Sequence, residues 1–367
     1  MEKLRVAVLF GGRSTEHEVS IASATAVAQA LDPARYEPLL VAIDHDGGWC
    51  FAEPEVGLLP DAVFGHPDSV EVFPAPMHGF DLRRAGEDAS ALRAPVDVVF
   101  PLVHGRGGED GEIQGLLETS GVAYVGCGVL SSALCMDKVV SKRVLREAGI
   151  PVVPCLDTSR RELLAGAESF LRQVEERFGF PVFVKPANTG SSIGIERVRT
   201  RQELEGALHR AARFDLRVLA EPALRAREIE CGVLGGHTPK CSIPGEIVYR
   251  GEFYDYEAKY LSEQSELLLP APLDDAKAGE VRELAERAFR ALSCWGMARV
   301  DFFLDQDTQK LVLNELNTLP GFTEGSLYPR AWETTGIPMP ELCNQLIELA
   351  LERKRERAQL EARYRGS

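Results

Sequence analysis

Between Met297 and Ser326 the chain spaces two carboxylates, an amide and a guanidinium as a metal or anion site would require. Met297 to Leu304 alternates apolar and polar residues, Asp305-Gln306-Asp307-Thr308 is a turn-forming cluster, and Lys310 to Asn317 is a second extended run, so the segment predicts a β-hairpin. Side chains alternate between the faces of a strand. Arg299 and Asp301 therefore share one face of the first strand, and Glu315 and Asn317 share one face of the second. Two readings fit that face. Two hard oxygen anions with an amide oxygen suit Mg²⁺, which takes few protein ligands and completes its shell with phosphate and water. The same groups could equally form a solvated face crossed by salt bridges. The next turn, Asn317 to Thr323, contains Pro320-Gly321 and could aim backbone N–H groups at the same place.

A second stretch carries phosphate chemistry. Residues 180–186 read as a strand ending in Lys185-Pro186, residues 187–194 as a small flexible loop with Gly190-Ser191-Ser192, and residues 195–198 as a returning strand. A lysine beside a loop of hydroxyls and backbone N–H groups could grip a nucleotide's phosphates. An ordinary hairpin with a Gly-Ser turn is the alternative. The loop lacks the G-x-x-x-x-G-K-[ST] spacing of a Walker A motif. Three weaker candidates stand elsewhere. Glu16 lies at the end of a strand, where open α/β sheets bind ligands, or it simply complements a helix dipole. The run His104 to Gly111 holds four glycines, which allow close approach to a ligand or merely make a turn. Residues 249–260, rich in tyrosine with interleaved charge, fit either a lid over a reaction or a surface Ω-loop.

The elements that must position these groups follow from the same patterns. Val6 to Phe10 is an apolar strand followed by Gly11-Gly12 and a capping-box pattern, Thr15 to Glu18, opening a helix. Further strands are expected at residues 36–43, 96–103 and 122–125, with a helix at 112–120 before the last; residues 44–94 read as irregular with short strands. Helices at 130–134 and 137–148 lead to a strand at 150–154. One helix is expected over 161–177, another over 200–213, strands at 218–221, 228–234 and 241–248, a long helix at 274–294 and a final helix from Pro340.

The chain of 367 residues has 45% hydrophobic and 26% charged residues, an ordinary composition for two or three globular domains. Its formal charge of −15 argues against nucleic acid or an anionic membrane as a partner. No apolar run approaches the roughly 20 residues of a membrane span, and the N-terminus runs straight into a strand, so a cytoplasmic protein is expected. Eight cysteines without a C-x-x-C pair read as reduced thiols.

Taken together, Phe10 to Ser14 with Glu16 and Glu18-Val19-Ser20, His104 to Gly111, Met136-Asp137-Lys138, Lys185-Pro186 with Gly190-Ser191-Ser192, Tyr254 to Tyr260, and Asn314 to Thr318 with Pro320-Gly321 resemble D-alanine:D-alanine ligases of the ATP-grasp superfamily. The resemblance spans nearly the whole chain. It implies an α/β, three-domain ATP-grasp fold: an N-terminal Rossmann-like domain over 1–128, a central domain over 129–222, and a C-terminal domain over 223–367 with a lid at 249–266. ATP would lie between the central and C-terminal sheets. The activity implied is ATP-dependent ligation of two D-alanines through an acyl phosphate, for peptidoglycan synthesis, by a homodimer.

Carried across by position, the resemblance implies ATP contacts from Lys138, Lys185, Ser191, Ser192, Glu221, Leu224, Glu228, Lys259 and Asn317. Two Mg²⁺ ions, with Mn²⁺ as a substitute, would be held by Asp301, Glu315 and Asn317. Glu16, Ser191 and Tyr260 match a trio over the first D-alanine, with Val19 and His104 nearby. Arg299, Gly321, Ser326 and Leu327 match positions for the second D-alanine and the developing oxyanion. Related D-alanine:D-lactate ligases carry histidine where Tyr260 stands, so Tyr260 points to the dipeptide.

Overall fold

The computed structural model describes residues 3–51, 63–64, 70–75, 80–84, 93–249 and 265–360, and these build three sheets. The first has eight strands, in the order Arg93–Val96, Phe80–Arg84, Val70–Ala75, Trp49–Phe51, Tyr36–Ile43, Leu4–Gly11, Val98–Pro101, Ala123–Tyr124. Its last four strands are mutually parallel and the rest antiparallel. The parallel strands are covered on both faces, which is why Val6 to Phe10 is continuously apolar and at most 1% exposed. Helix Met339–Ala358 closes the chain back onto this sheet, with Leu342, Leu346 and Ile347 joining the core of Val6, Val8 and Phe10. Arg353 pins it there. Its guanidinium lies 4.2 Å from the Tyr124 ring centroid and donates to the Tyr124 and Gly126 carbonyls.

The first helix departs from the expected capping box. It spans His17–Ala30 with Glu16 at the N-cap and no side-chain cap. Ser14 is the residue engaged with the backbone: its Oγ accepts from Glu16 N at 3.1 Å and donates to the His104 carbonyl at 2.7 Å. That bend leaves the Glu16 carboxylate facing inward.

The second sheet is antiparallel, in the order Glu196–Val198, Val182–Pro186, Arg217–Pro222, Leu156–Ser159. Its apolar face packs on helices Glu168–Phe178 and Arg201–Ala211 through Phe170, Leu171, Val174, Leu204 and Leu208. The single helix expected over 161–177 is two, because Arg160–Ala165 ends at Gly166, whose φ of +147° an L residue rarely adopts. Residues 150–154 make only one bridge, Val152 to Leu313, since Pro151 and Pro154 donate nothing; the strand forms later, at Leu156–Ser159.

The third sheet runs Ser265–Leu268, Gly245–Tyr249, Ala226–Gly235, Gly296–Asp305, Leu311–Asn317, all antiparallel, with Lys240–Cys241 beside the third of these. Its apolar face, with Ile229, Cys231, Val300 and Phe302, is covered by helix Asp275–Ala291 through Val281, Ala285, Ala288 and Phe289. Leu145 of helix Lys138–Glu147 joins the same core. Period two leaves the opposite face to Glu228, Glu230, Arg299 and Asp301.

Asp137 starts that last helix by accepting from Val139 N at 3.0 Å and Val140 N at 2.9 Å, which fixes where Lys138 points. Asp137→Ala is expected to cost about 1 kcal/mol of stability, read as a lower denaturant midpoint. An unchanged midpoint would mean that the helix start is set by packing alone. All eight cysteines are free thiols, and no helix among the described residues is long and apolar enough to cross a membrane.

Candidate active site

The hairpin forms, and its strands share the faces that alternation required. Arg299 pairs with Asn317 and Asp301 with Glu315 across strands Gly296–Asp305 and Leu311–Asn317, and a bulge follows at Asp301/Phe302. Strand Ala226–Gly235 lies on the other side, with Glu230 opposite Asp301. Arg299 links the three strands. It holds Asp301 through Nε at 2.7 Å and Nη2 at 2.6 Å, and its Nε lies 3.1 Å from Glu230 Oε2. Burial opposes the charge on Arg299, but Asp301 and Glu230 outweigh it and hold the guanidinium well above its ordinary pKa. Glu315 in turn meets Lys138 Nζ at 3.1 Å.

This donor set suits a hard divalent ion. Two carboxylates and an amide oxygen share one sheet face, and both carboxylates are already matched to cations of the protein. A bound ion would use the lone pairs that the Arg299 grip leaves on the Asp301 oxygens. Asn317 Oδ1 already accepts from Leu319 N at 2.8 Å and keeps a second lone pair.

Facing the hairpin, strand Val182–Pro186 presents Lys185 and strand Arg217–Pro222 presents Glu221. Lys185 Nζ lies 2.7 Å from Glu221 Oε2, and Lys142 Nζ lies 2.8 Å from Glu221 Oε1. Lys142, 1% exposed, also donates to the Asn314 carbonyl at 3.0 Å, next to Glu315. Burial would raise the Glu221 pKa, and the two ammonium groups reverse this and lower it. For Lys185, Glu221 overcomes burial and the pKa rises; for Lys142, burial wins and the pKa falls. Glu221 thus has two lysines, of which only Lys185 also faces the cleft.

Sequence reading missed Lys142, although its position four residues after Lys138 on one helix places both on the same side. Lys142→Met should leave Glu221 to Lys185 alone and so reduce what Lys185 offers to phosphate. The KM for ATP is expected to rise about tenfold with a smaller change in kcat, and Lys142→Arg should restore part of the loss. Equal KM values would reduce Lys142 to a structural role.

The loop after Lys185 is strained where chemistry is expected. Ser191 and Ser192 both have positive φ, +48° and +57°, uncommon for residues with a Cβ. Ser191 Oγ is shut off from solvent and has no hydrogen-bond partner among the described residues. Glu16 reaches the same place from beside the first sheet. A Cβ added to Gly190 would lie 3.3 Å from Glu16 Oε2, and one added to Gly105 would lie 2.8 Å away. Both glycines therefore let two loops close onto one carboxylate.

His104 ties the loop after strand Val98–Pro101 to the turn after the hairpin. Its Nδ1 donates to the Leu319 carbonyl at 3.1 Å, with Glu109 Oε1 at 3.5 Å. Its Nε2 lies 3.1 Å from Ser23 Oγ, which accepts from Phe322 N at 3.1 Å. Burial pulls the imidazole towards neutrality, but Glu109 with Glu16 behind it more than reverses this and raises its pKa. A Cβ at Gly321 would stand 2.7 Å from Ser326 Oγ, which also bonds Thr323, so a side chain there would push that hydroxyl aside.

These groups enclose two adjoining spaces. A cavity of about 720 Å³ is lined by Glu16, Val19, His104, Lys138, Ser191, Arg299, Glu315, Asn317, Gly321, Ser326 and Leu327. A cleft of about 340 Å³, between the second and third sheets, is lined by Lys138, Lys185, Ser191, Ser192, Glu221, Leu224, Glu228 and Glu315. Of the residues singled out in the sequence, Asp301 stands behind Arg299 at this junction. Tyr260, Lys259 and the greater part of the lid, 250–264, lie outside the described residues. Glu230 was missed because its partner Arg299 lies on a strand 60-odd residues later in the chain, although its alternation with Glu228 was a readable sign of a polar sheet face.

The chain matches a family model described as "D-ala D-ala ligase N-terminus" over residues 5–127 and one described as "D-ala D-ala ligase C-terminus" over residues 144–348. It is 45% identical over 366 residues to a D-alanine–D-alanine ligase of Caldicellulosiruptor bescii, covering 100% of both chains. Among solved structures, the D-alanine-D-alanine ligase of Coxiella burnetii superposes with a TM-score of 0.84 at 39% identity, covering 98% of this chain and 97% of that one. A D-Ala:D-Ser ligase from Enterococcus faecalis superposes with a TM-score of 0.85 at 33% identity, covering 95% and 100%.

Proposed function

This chain belongs to the D-alanine–D-alanine ligase family, and on that premise we propose that it joins two molecules of D-alanine, converting ATP to ADP and phosphate, to supply peptidoglycan synthesis. One observation carries the site assignment. Asp301, Glu315 and Asn317 share a sheet face at the junction of two spaces, one bordered by Lys185 and Glu221 and the other by Glu16, His104 and Arg299. The first space suits a nucleotide and the second two small zwitterions.

A carboxylate is a poor acyl donor. Transfer of the γ-phosphoryl group to an oxygen of the first D-alanine makes an acyl phosphate and leaves ADP. Lys185 and Lys138 would bind the phosphates, Glu16 with Ser191 the first ammonium, and Arg299 the second carboxylate. Asp301, Glu315 and Asn317 would hold two Mg²⁺ ions, which when bound supply positive charge against the triphosphate. The second D-alanine gives up an ammonium proton to solvent before closure, and its amine attacks the acyl carbon. A tetrahedral oxyanion forms and then expels phosphate, which takes up the second proton that the nitrogen loses as the amide forms. Arg299 and the Gly321 N–H are the donors assigned to that oxyanion. Water would destroy the acyl phosphate, which gives the segment 249–266 its role as a lid. The division at residues 128 and 222, a homodimer and a cytoplasmic setting go with this reading, and light scattering of the purified protein tests the dimer.

The experiment is direct. Purified protein with ATP, Mg²⁺ and a panel of D-alanine, D-serine, D-lactate and L-amino acids should yield D-alanyl-D-alanine by mass, with one phosphate released per dipeptide. Phosphate release indifferent to D-alanine, or D-alanyl-D-serine as the main product, would overturn the assignment.

A further inference from the structure

At the rim of the cavity, which Glu18 also lines, one other group of side chains has metal-binding chemistry. His17, Glu18 and His45 each offer one ligand atom, and these three atoms lie within 4.8 Å of one another, the one such group of histidine, cysteine and acid side chains among the described residues. We propose that they form a second cation site, built for a borderline transition ion such as Zn²⁺ and sharing no residue with the Mg²⁺ site assigned above.

Two of the three parts have fixed backbones, and His17 is held in one orientation. His17 Nδ1 lies 2.8 Å from the Gly12 carbonyl, which can only accept, so the ring proton sits on Nδ1 and the Nε2 lone pair is presented. A backbone carbonyl on the far nitrogen is the usual support of a metal-bound histidine. The Phe64 ring, with its centroid 5.4 Å away, packs beside the imidazole. His45 rides on a turn held at both ends: Asp44 Oδ1 accepts from Asp46 N at 2.8 Å and Gly48 N at 2.7 Å, and Arg13 Nε donates to the Asp46 carbonyl at 2.7 Å. The two imidazoles now stack, with centroids 3.8 Å apart and planes 24° from parallel. Coordination requires the exposed His45 ring to swing until its lone pair meets that of His17.

Charge and donor type set the ligand class. His17 and Glu18 open helix His17–Ala30, whose positive end disfavours a cation, and the Glu18 carboxylate offsets this. Two imidazole nitrogens and one oxygen, with solvent completing the shell, suit Zn²⁺, Co²⁺ or Ni²⁺ and not Mg²⁺ or Ca²⁺.

The test titrates metal-stripped protein with Zn²⁺ by calorimetry in excess Mg²⁺, comparing the unaltered chain with H45A and E18Q. We expect one Zn²⁺ per chain, bound about tenfold or more weaker in H45A and less affected in E18Q. Co²⁺ gives a second readout, independent of turnover: visible bands of a nitrogen-ligated, low-coordinate ion should appear and be lost in H45A. Zn²⁺ affinity equal in the unaltered chain and H45A, or Co²⁺ bands that survive H45A, would overturn the proposal, because the ion would then lie elsewhere.

Discussion

Glu315→Ala is expected to reduce kcat about a thousandfold or more while leaving the protein folded. Glu315 faces Asp301 directly across the hairpin and touches Lys138 at 3.1 Å, so it joins the assigned metal donors to a cation that borders both spaces. Removing it withdraws one of the three assigned donors for ions that would neutralise the phosphates, an effect worth several kcal/mol at the transition state, and each 1.4 kcal/mol is a factor of ten in rate. Lys138, 8% exposed, would keep its bond to the Thr189 carbonyl at 2.8 Å as the one partner of its side chain among the described residues. Glu315→Gln keeps the shape and removes the charge, so its thermal midpoint should stay close to that of the unaltered protein while its rate falls similarly. A near-normal rate for either variant at saturating Mg²⁺ would return this face to the plainer reading of salt bridges on a sheet.

The legibility of that face has a physical basis. Strand side chains alternate strictly, so once two extended runs were joined by Asp305 to Thr308, the sharing of one face by Arg299, Asp301, Glu315 and Asn317 followed from counting. The parallel strands at Leu4–Gly11 and Tyr36–Ile43 were equally plain, since burial on both faces demands apolar runs such as residues 6–10 and 39–43 within them. Other features depended on contacts that local pattern does not carry. The capping box at Thr15 was locally sound but lost to the tertiary bond from Ser14 to the His104 carbonyl. Glu230, Lys142 and Glu109 owe their places to partners on distant elements, Arg299, Glu221 and His104. The two-helix break at Gly166 was readable from the glycine alone, and a pattern spanning it overrode that signal.

The sequence also left unresolved which groups compete. Both carboxylates on the metal face are matched to cations of the protein, and Glu221 is shared between two lysines. Such pairing keeps buried charge compensated before ligands arrive, since an unpaired buried charge is far more costly than an imperfectly used one. It also sets a condition for loading: the ligands must share or exchange partners with groups already satisfied, so their binding depends on differences between similar interactions. Variants that remove one member of a pair should therefore alter both stability and ligand affinity.

Arg299→Lys separates these two effects and carries the second large expectation. Lysine keeps the positive charge among Glu230 and Asp301, so the 3 to 5 kcal/mol penalty of stranding a buried carboxylate, expected for Arg299→Met, is largely avoided. An ammonium is nevertheless a point charge. It cannot reproduce the two parallel bonds at 2.7 and 2.6 Å, nor span Asp301 and Glu230 while also lining the cavity. If Arg299 serves the oxyanion and the carboxylate of the second D-alanine, the lysine variant should lose about a hundredfold to a thousandfold in kcat, the scale of one lost oxyanion donor. Its KM for the second D-alanine should also rise, while the KM for ATP stays near its starting value. A merely structural arginine would give a different pattern: a lower thermal midpoint with kcat at saturating D-alanine unchanged. Steady-state kinetics in both substrates, alongside thermal unfolding of the lysine and methionine variants, distinguishes the two, because only a residue that touches the reacting atoms moves kcat without a matching loss of fold.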